Sequence, residues 1–397
     1  MKKTRVFTML IVIMLSVGMI MTGCKTPAPA STAPSGSEAP AAGEIKIGAI
    51  MPITGPIALY GTGTVNAIQI AVNEINAAGG INGMQVKLIA EDDEGKSDKS
   101  VLAYKKLTSQ DKVDVIIGCL TSDCSLAVAP LAQDDKIPMI STSSTNLKVT
   151  QAGDYIFRTC YLDPFQGKGC AKLAYEQLGK KTAAIMFDNA NDYSIGLADA
   201  FEESFKAMGG TITNREAYTK GDTDFSAILT KIKASNPDVL FIPDYYPTVA
   251  LIAPQARTLG MTDVVMMGGD GWDEIVSNAG DEVVGSYYLN HFTADTTDPK
   301  GAEFVAKYKA AYNGERPNAL AVLGYDAMEV VAQAIKAAGS TDHQMVRDAL
   351  TKVEGDFLTG HIKFDENRNP VKSAVVIQVV KGEDGKLHEK YIGTVAP

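Results

Sequence analysis

Apolar and polar positions change period along this chain in a regular way. Ile45–Pro52, "IKIGAIMP", is a short apolar strand. The next stretch, "TVNAIQIAVNEINAAGG", sets Val65, Ile68, Val72 and Ile75 at helical spacing and stops at Gly79–Gly80. Met84–Asp93 alternates as a strand, Asp98–Gln110 is helical, and Val113–Gly118 is a strand. A helix over "SLAVAPLAQDD" and the strand Pro138–Ser141 follow. The alternation then restarts: helix Phe165–Leu178, strand Thr182–Asn189, helix Tyr193–Gly209, strand "TITNREAYT" and helix Phe225–Ser235 with Asp224 as its N-cap. Strand "DVLFIPD", helix "TVALIAPQARTLG" and strand "DVVMMGG" complete this second run. From Asp298 the chain is mostly helical, including Ala319–Gly339, and it closes with strands at "GHIKFD", "SAVVIQVV" and "KLHEKYIG".

Strand–helix alternation implies α/β architecture, with parallel sheets covered by helices on both faces. Two successive runs predict two doubly wound parallel-sheet lobes. Ligands of such sheets sit at the carboxyl ends of the strands. Here those ends carry loops such as Cys119–Ser125 and Gly268–Trp272.

The first 43 residues stand apart from this pattern. Lys2, Lys3 and Arg5 precede the apolar run Val6–Met21, the charge-then-apolar order of an export signal over residues 1–23. Thr22, Gly23 and Cys24 resemble the lipobox of bacterial lipoproteins, although Met21 stands where Leu is usual. That resemblance implies a lipid on Cys24; a plain signal or an uncleaved anchor are the alternatives. Residues 24–43, rich in Pro, Ala, Ser and Thr, have nothing to bury and read as a tether. The expected location is extracytoplasmic, held at the membrane by the lipid. The remaining body of roughly 350 residues is too long for one core and agrees with two lobes.

A formal net charge of −10 argues against nucleic acid as a partner. Four cysteines remain besides Cys24, namely Cys119, Cys124, Cys160 and Cys170; an exported chain permits a disulfide among them, but spacing does not pair them. The four histidines, His291, His343, His361 and His388, lie outside metal-ligand spacing, so no metal or cofactor is expected. "AEDDEGKS" lacks the first glycine of a phosphate loop, and "GTGTVN" ends in Asn66 where a dinucleotide fingerprint needs glycine. "DENRNP" has calcium-loop spacing at Asp365, Asn367 and Asn369, but Pro370 and Val376 replace the required Gly and Glu; a hairpin turn is expected. No nucleophile elbow occurs. The chain is not expected to be an enzyme.

Two loops carry candidate chemistry. "GCLTSDCSLAV" puts Thr121, Ser122 and Ser125 between a strand and a helix, where hydroxyls cap the helix or its free N–H groups bind an anion. "STSSTN", Ser141–Asn146, follows the next strand, so the two hydroxyl-rich loops would converge at one edge. "GGDGW" then sets Asp270 between glycines at the end of a buried strand, either in a plain turn or as a counter-charge for a cationic group.

The segments "GAIMPITGPIALYGTGTVNAIQIAVNEINAAGGINGMQVKLIAEDDEG", "VIIGCLTSDCSLAVAP", "IPMISTSST", "YIFRTCYLDPFQG", "DFSAILTKIKASNPDVLFIPDYYP" and "GGDGWDE" closely resemble the periplasmic branched-chain amino acid binding proteins, over nearly the whole chain from Glu44. The resemblance implies a type I periplasmic-binding fold with a three-segment hinge, and the role of solute receptor for an amino acid ABC importer. It implies lobe I over 44–162 and 292–369 and lobe II over 163–291 and 370–397, with crossings near Leu162, His291 and Asn369. By the same resemblance Ser122, Ser143 and Thr145 hold the ligand carboxylate, and Asp270 meets the α-ammonium where leucine and valine binders have Glu. Tyr60, Tyr193 and Tyr245 surround the ligand, with Tyr246 the alternative to Tyr245, and Leu320 lies near its side chain. The implied partners are an amino acid and an ABC permease, with the receptor a monomer. The same fold binding an amide, urea or an aromatic acid is the alternative.

Overall fold

The computed structural model describes residues 43–397; Cys24, the export signal and nearly all of the tether lie outside them. The first sheet contains β1 (Glu44–Met51), β2 (Gln85–Asp92), β3 (Val115–Gly118), β4 (Met139–Ser141) and β5 (Ile156–Arg158), all parallel, in the order β2-β1-β3-β4-β5. The chain then crosses to a second sheet through the helix Asp163–Lys172. That sheet gathers β6 (Thr182–Asp188), β7 (Thr211–Tyr218), β8 (Val239–Phe241), β9 (Val265–Gly268) and β10 (Tyr287–Asn290), again parallel.

The chain leaves β10 for the helices Pro299–Ala311 and Ala319–Ala338, the second of which lies along the first-sheet helix Ala58–Ala77. It next forms a separate hairpin of β11 (Glu354–Phe357) and β12 (Gly360–Lys363). It then returns to the second sheet as β13 (Ala374–Lys381) and β14 (Leu387–Val395), giving the order β14-β13-β10-β9-β8-β6-β7. The polypeptide therefore passes between the two halves three times.

The inner strands of both sheets read as continuous apolar runs because both faces are covered, whereas the edge strands β2, β7 and β14 are partly exposed. β3, β4, β5 and β8 are buried along their whole length. The antiparallel pairs are the exception to an all-parallel reading. β13 and β14 pair antiparallel because a short turn joins them, and such a turn cannot join parallel neighbours. Periodicity gives no sign of this, since the apolar pattern of a strand does not encode the direction of its neighbour.

Local differences from the sequence reading have local causes. The helix expected from Asp224 begins at Ser226, with Phe225 at its cap position; Asp224 Oδ1 still accepts the Ser226 N–H at 2.9 Å. Asp365 Oδ1 accepts the N–H groups of Asn367 and Asn369, both at 2.8 Å, so "DENRNP" is a turn closed by its own carboxylate. Cys119, Cys124, Cys160 and Cys170 are all free and buried, so none of the pairs that export would permit is formed. No helix among the described residues is long and apolar enough to cross a membrane.

Candidate functional site

The carboxyl ends of β3 and β4 face those of β8 and β9 across a small cavity of about 10 Å3, room for about one water. The first-sheet half contributes Leu120, Ser122, Ser143 and Leu320; the second-sheet half contributes Tyr193, Tyr245, Asp270 and Gly271. Five of the seven residues expected to hold a ligand thus share one cavity. A solute larger than a water enters only when these walls separate.

Asp270 opens a single 3-10 turn, Asp270–Trp272, directly beyond β9. Its Oδ1 accepts from Gln166 Nε2 and from the Tyr193 hydroxyl, each at 2.9 Å. Its Oδ2 lies 3.1 Å from His291 Nε2. Burial holds the His291 imidazole below its ordinary pKa, against the pull of Asp270, so the ring is neutral near pH 7 and donates from Nε2. Burial, and then the Asp270 charge, push the Tyr193 phenol well up, so it too remains a donor. A carboxylate offers about four acceptor positions. Three are taken, and the one left is on Oδ2.

The glycines around Asp270 make room for its supports. A Cβ on Gly268 would lie 1.9 Å from the Trp272 indole nitrogen, and one on Gly269 would lie 2.6 Å from Gln166 Nε2. One on Gly271 would lie 2.7 Å from the Asp244 carbonyl oxygen. The indole of Trp272 is fully buried and donates from Nε1 to the Ile242 carbonyl at 2.8 Å, which pins the turn to the end of β8. This packing leaves no room for a side chain at any of the three positions, and Gly271 itself lines the cavity.

On the opposite wall Ser122 begins the helix Ser122–Asp134, whose N-cap Thr121 makes no side-chain capping bond. The first-turn N–H groups are therefore left without a side-chain cap, and Ser122, which opens that turn, lines the cavity. The hydroxyls of the next loop divide their work. Ser141 donates to the Cys119 carbonyl at 2.9 Å, and Ser144 to the Leu120 carbonyl at 3.0 Å. Ser143 lines the cavity and donates to the Leu120 carbonyl at 2.9 Å. Much of the polarity of "STSSTN" thus stitches β4 to the end of β3.

Two expected residues lie outside the cavity wall. Tyr60 is buried behind it, donating to the Gly271 carbonyl at 2.7 Å, with its ring edge-on to Tyr245 and Tyr246. Thr145 is fully buried without a hydrogen-bond partner for its hydroxyl. Between the adjacent tyrosines, Tyr245 lines the cavity and stacks on Tyr193 at 5.2 Å; Tyr246 turns away and donates to the Pro56 carbonyl at 2.9 Å.

Sequence reasoning missed Gln166, Tyr161 and His291. Tyr161 stacks on His291 with ring centres 3.8 Å apart and accepts from Gln166 Nε2 at 3.2 Å. His291 follows β10, the strand beside β9, so its place at a carboxyl strand end was a usable signal. Gln166 carries none, because it sits within a helix. Among the described residues no group of three or more His, Cys, Asp and Glu side chains could hold a metal ion.

Comparison with known proteins agrees with this geometry. The family model described as periplasmic binding protein matches residues 44–386. A Leu/Ile/Val-binding protein homolog of Brucella suis is 32% identical over 352 residues, covering 87% of this chain and 93% of its own. The crystal structure of a leucine-binding protein from Thermotoga maritima aligns with a TM-score of 0.83 and 36% identity, covering 89% of this chain and 99% of that one. A branched-chain amino acid transporter substrate-binding protein of Streptococcus pneumoniae, in complex with isoleucine, gives 0.81 and 34%, covering 88% and 99%. A solute-binding protein of Rhodopseudomonas palustris, in complex with 3,4-dihydroxybenzoic acid, gives 0.80 and 26%, covering 89% and 97%.

Proposed function

The chain belongs to the periplasmic binding protein family, as an ABC-transporter substrate-binding protein of the Leu/Ile/Val-binding type, and on that premise we propose that it captures a branched-chain or other neutral hydrophobic amino acid. Lobe I is then residues 44–162 with 292–369, and lobe II residues 163–291 with 370–397. The receptor is a monomer, lipid-anchored through Cys24 outside the cell membrane, and delivers its solute to the permease.

The observation that carries this reading is Asp270, fixed by three donors with one acceptor position left on Oδ2. That position suits an α-ammonium. Ser122, Ser143 and the N–H groups of the first helical turn suit the carboxylate across the cavity, with Thr145 in support. Leu120, Leu320 and Tyr245 supply an apolar wall for the side chain, and Tyr60 and Tyr193 brace it. A zwitterion satisfies both walls only when they approach, so it favours the closed arrangement. Three to five charge-assisted hydrogen bonds of roughly 1.5–3 kcal/mol each, less ordering costs, support a Kd of about 1 μM.

Mass spectrometry of the solute released from protein purified without refolding identifies it directly; the expected result is an amino acid. Asp270→Ala should weaken its calorimetric affinity more than about a hundredfold, because the ammonium is left unpaired. Unchanged affinity would remove Asp270 from that role. The likeness to the dihydroxybenzoate complex supports a second reading, an aromatic acid as solute. An aromatic anion has no ammonium for Asp270, and only a ring hydroxyl could donate to Oδ2, so Asp270→Ala would leave the binding of unsubstituted benzoate intact or improve it.

A further inference from the structure

The turn that presents Asp270 has a second acidic end. The Asp273 N–H donates to the Asp270 carbonyl at 3.0 Å, so the two residues move as one piece. Asp273 is buried, and its side chain points across the molecule. Its Oδ2 accepts the N–H of Ala319 at 2.8 Å and of Leu320 at 3.4 Å. Those are the first two residues of the Ala319–Ala338 helix, which packs on the first-sheet half. Asn290, at the end of β10, holds Asp273 Oδ1 from behind at 3.0 Å. Beside it Glu274 Oε1 accepts from Asn318 Nδ2, the N-cap of the same helix, at 3.1 Å.

This helix already has a cap of its own. Asn318 Oδ1 accepts the Ala321 N–H at 2.7 Å. Ala319 and Leu320 are the donors Asn318 leaves unserved, and a residue from the other half serves them. A carboxylate at a helix start is favoured by the free N–H groups and by the macrodipole together. Burial, with Glu389 and Glu274 close by, raises the Asp273 carboxyl from its ordinary range, while Asn290 and the Leu320 N–H oppose that rise. The protonated acid still offers an oxygen to Ala319.

We infer that Asp273 is a closure latch, a positioning residue that caps the Ala319–Ala338 helix only when the halves are shut and so ties solute capture at Asp270 to the closed state without touching the solute. The inference rests on the closure reading above. It explains why two acids follow "GGDGW": Asp270 faces the cavity, and Asp273 with Glu274 faces the partner half. Opening would return Ala319 and Leu320 to water and expose an acidic side chain that is now buried.

Two substitutions test it from opposite sides. Asp273→Ala removes the acceptor. Ala319→Pro removes the donor at the first helical position, where proline fits, and the extended backbone of Asn318, with ψ 165°, suits a residue before proline. With L-isoleucine as probe, each should raise the calorimetric Kd about tenfold or more, and the double variant should be little weaker than either alone. Amide hydrogen exchange at Ala319 and Leu320 should slow when isoleucine is added to the unsubstituted chain, and this protection should be lost in Asp273→Ala. Additive losses, or unchanged affinity and exchange, would overturn the latch. If isoleucine and other amino acids do not bind the unsubstituted chain, the amino acid reading fails separately. The latch is then judged with the solute that mass spectrometry finds bound: protection at Ala319 on adding it that is lost in Asp273→Ala supports the latch, and protection unchanged by the substitution overturns it.

Discussion

Asp163 shows most sharply what burial does to a single side chain. It lies on the first crossing, 2% exposed, and neither of its carboxyl oxygens has a hydrogen-bond partner. Burial, aided by the Asp270 charge and opposed by the Arg158 guanidinium, raises it from 3.8 to about 8. The folded protein therefore holds a proton there that the unfolded chain releases. The stabilisation from that proton is complete below the unfolded value and is lost as pH rises through the folded one. Asn, which never ionises, escapes the loss. Asp163→Asn should therefore raise stability by at least ~1 kcal/mol at pH 8 and by little at pH 4, measured by urea unfolding at both. An equal difference at the two pH values would contradict the account. His291 and Gln166 show a different limit of local reading. Each looks like an ordinary residue along the chain, and each acquires its role from a neighbour brought close by the fold, Asp270, which lies 104 residues from Gln166.

At the scale of elements, close helix packing depends on a few small residues. The helices Ala58–Ala77 and Ala319–Ala338 lie against each other, and a Cβ on Gly324 would come within 2.6 Å of Thr64 Cγ2. Thr64 is fully buried and donates to the Tyr60 carbonyl at 2.8 Å, so it has little freedom to yield. Gly324→Ala should cost about 1–3 kcal/mol by overpacking, despite its better helix propensity, and the urea midpoint should fall accordingly. These helices also carry Tyr60 and Leu320, so their spacing sets the position of one wall of the cavity. The helix Ser122–Asp134 illustrates the reverse case, in which hydroxyls at a helix start are left off the cap. Composition alone reads Thr121 and Ser122 as capping residues; the structure turns Ser122 toward the cavity and leaves Thr121 without a capping bond.

At the scale of the whole molecule, the two halves share only three chain crossings and a set of contacts around the cavity. Besides Asp273, the Tyr60 hydroxyl meets the Gly271 carbonyl, Tyr246 meets the Pro56 carbonyl, and the Asp192 N–H meets Asp123 Oδ1 at 2.7 Å. Contacts of this kind hold in one relative placement of the halves. Small-angle scattering should therefore show the radius of gyration falling when L-isoleucine is added, and an unchanged radius would argue against capture by closure. The sequence alone determined the alternation of strands and helices, because apolar period is a local property set by which face each element must bury. It also determined that the polar loops lie at strand ends, and that Asp270 is presented by a turn. Only the tertiary structure decided that β13 and β14 run antiparallel, that the four described cysteines stay free, and that Asp270 is held by Gln166, Tyr193 and His291. Those outcomes depend on which distant segments meet once the core has packed, and no period or spacing along the chain encodes such a meeting.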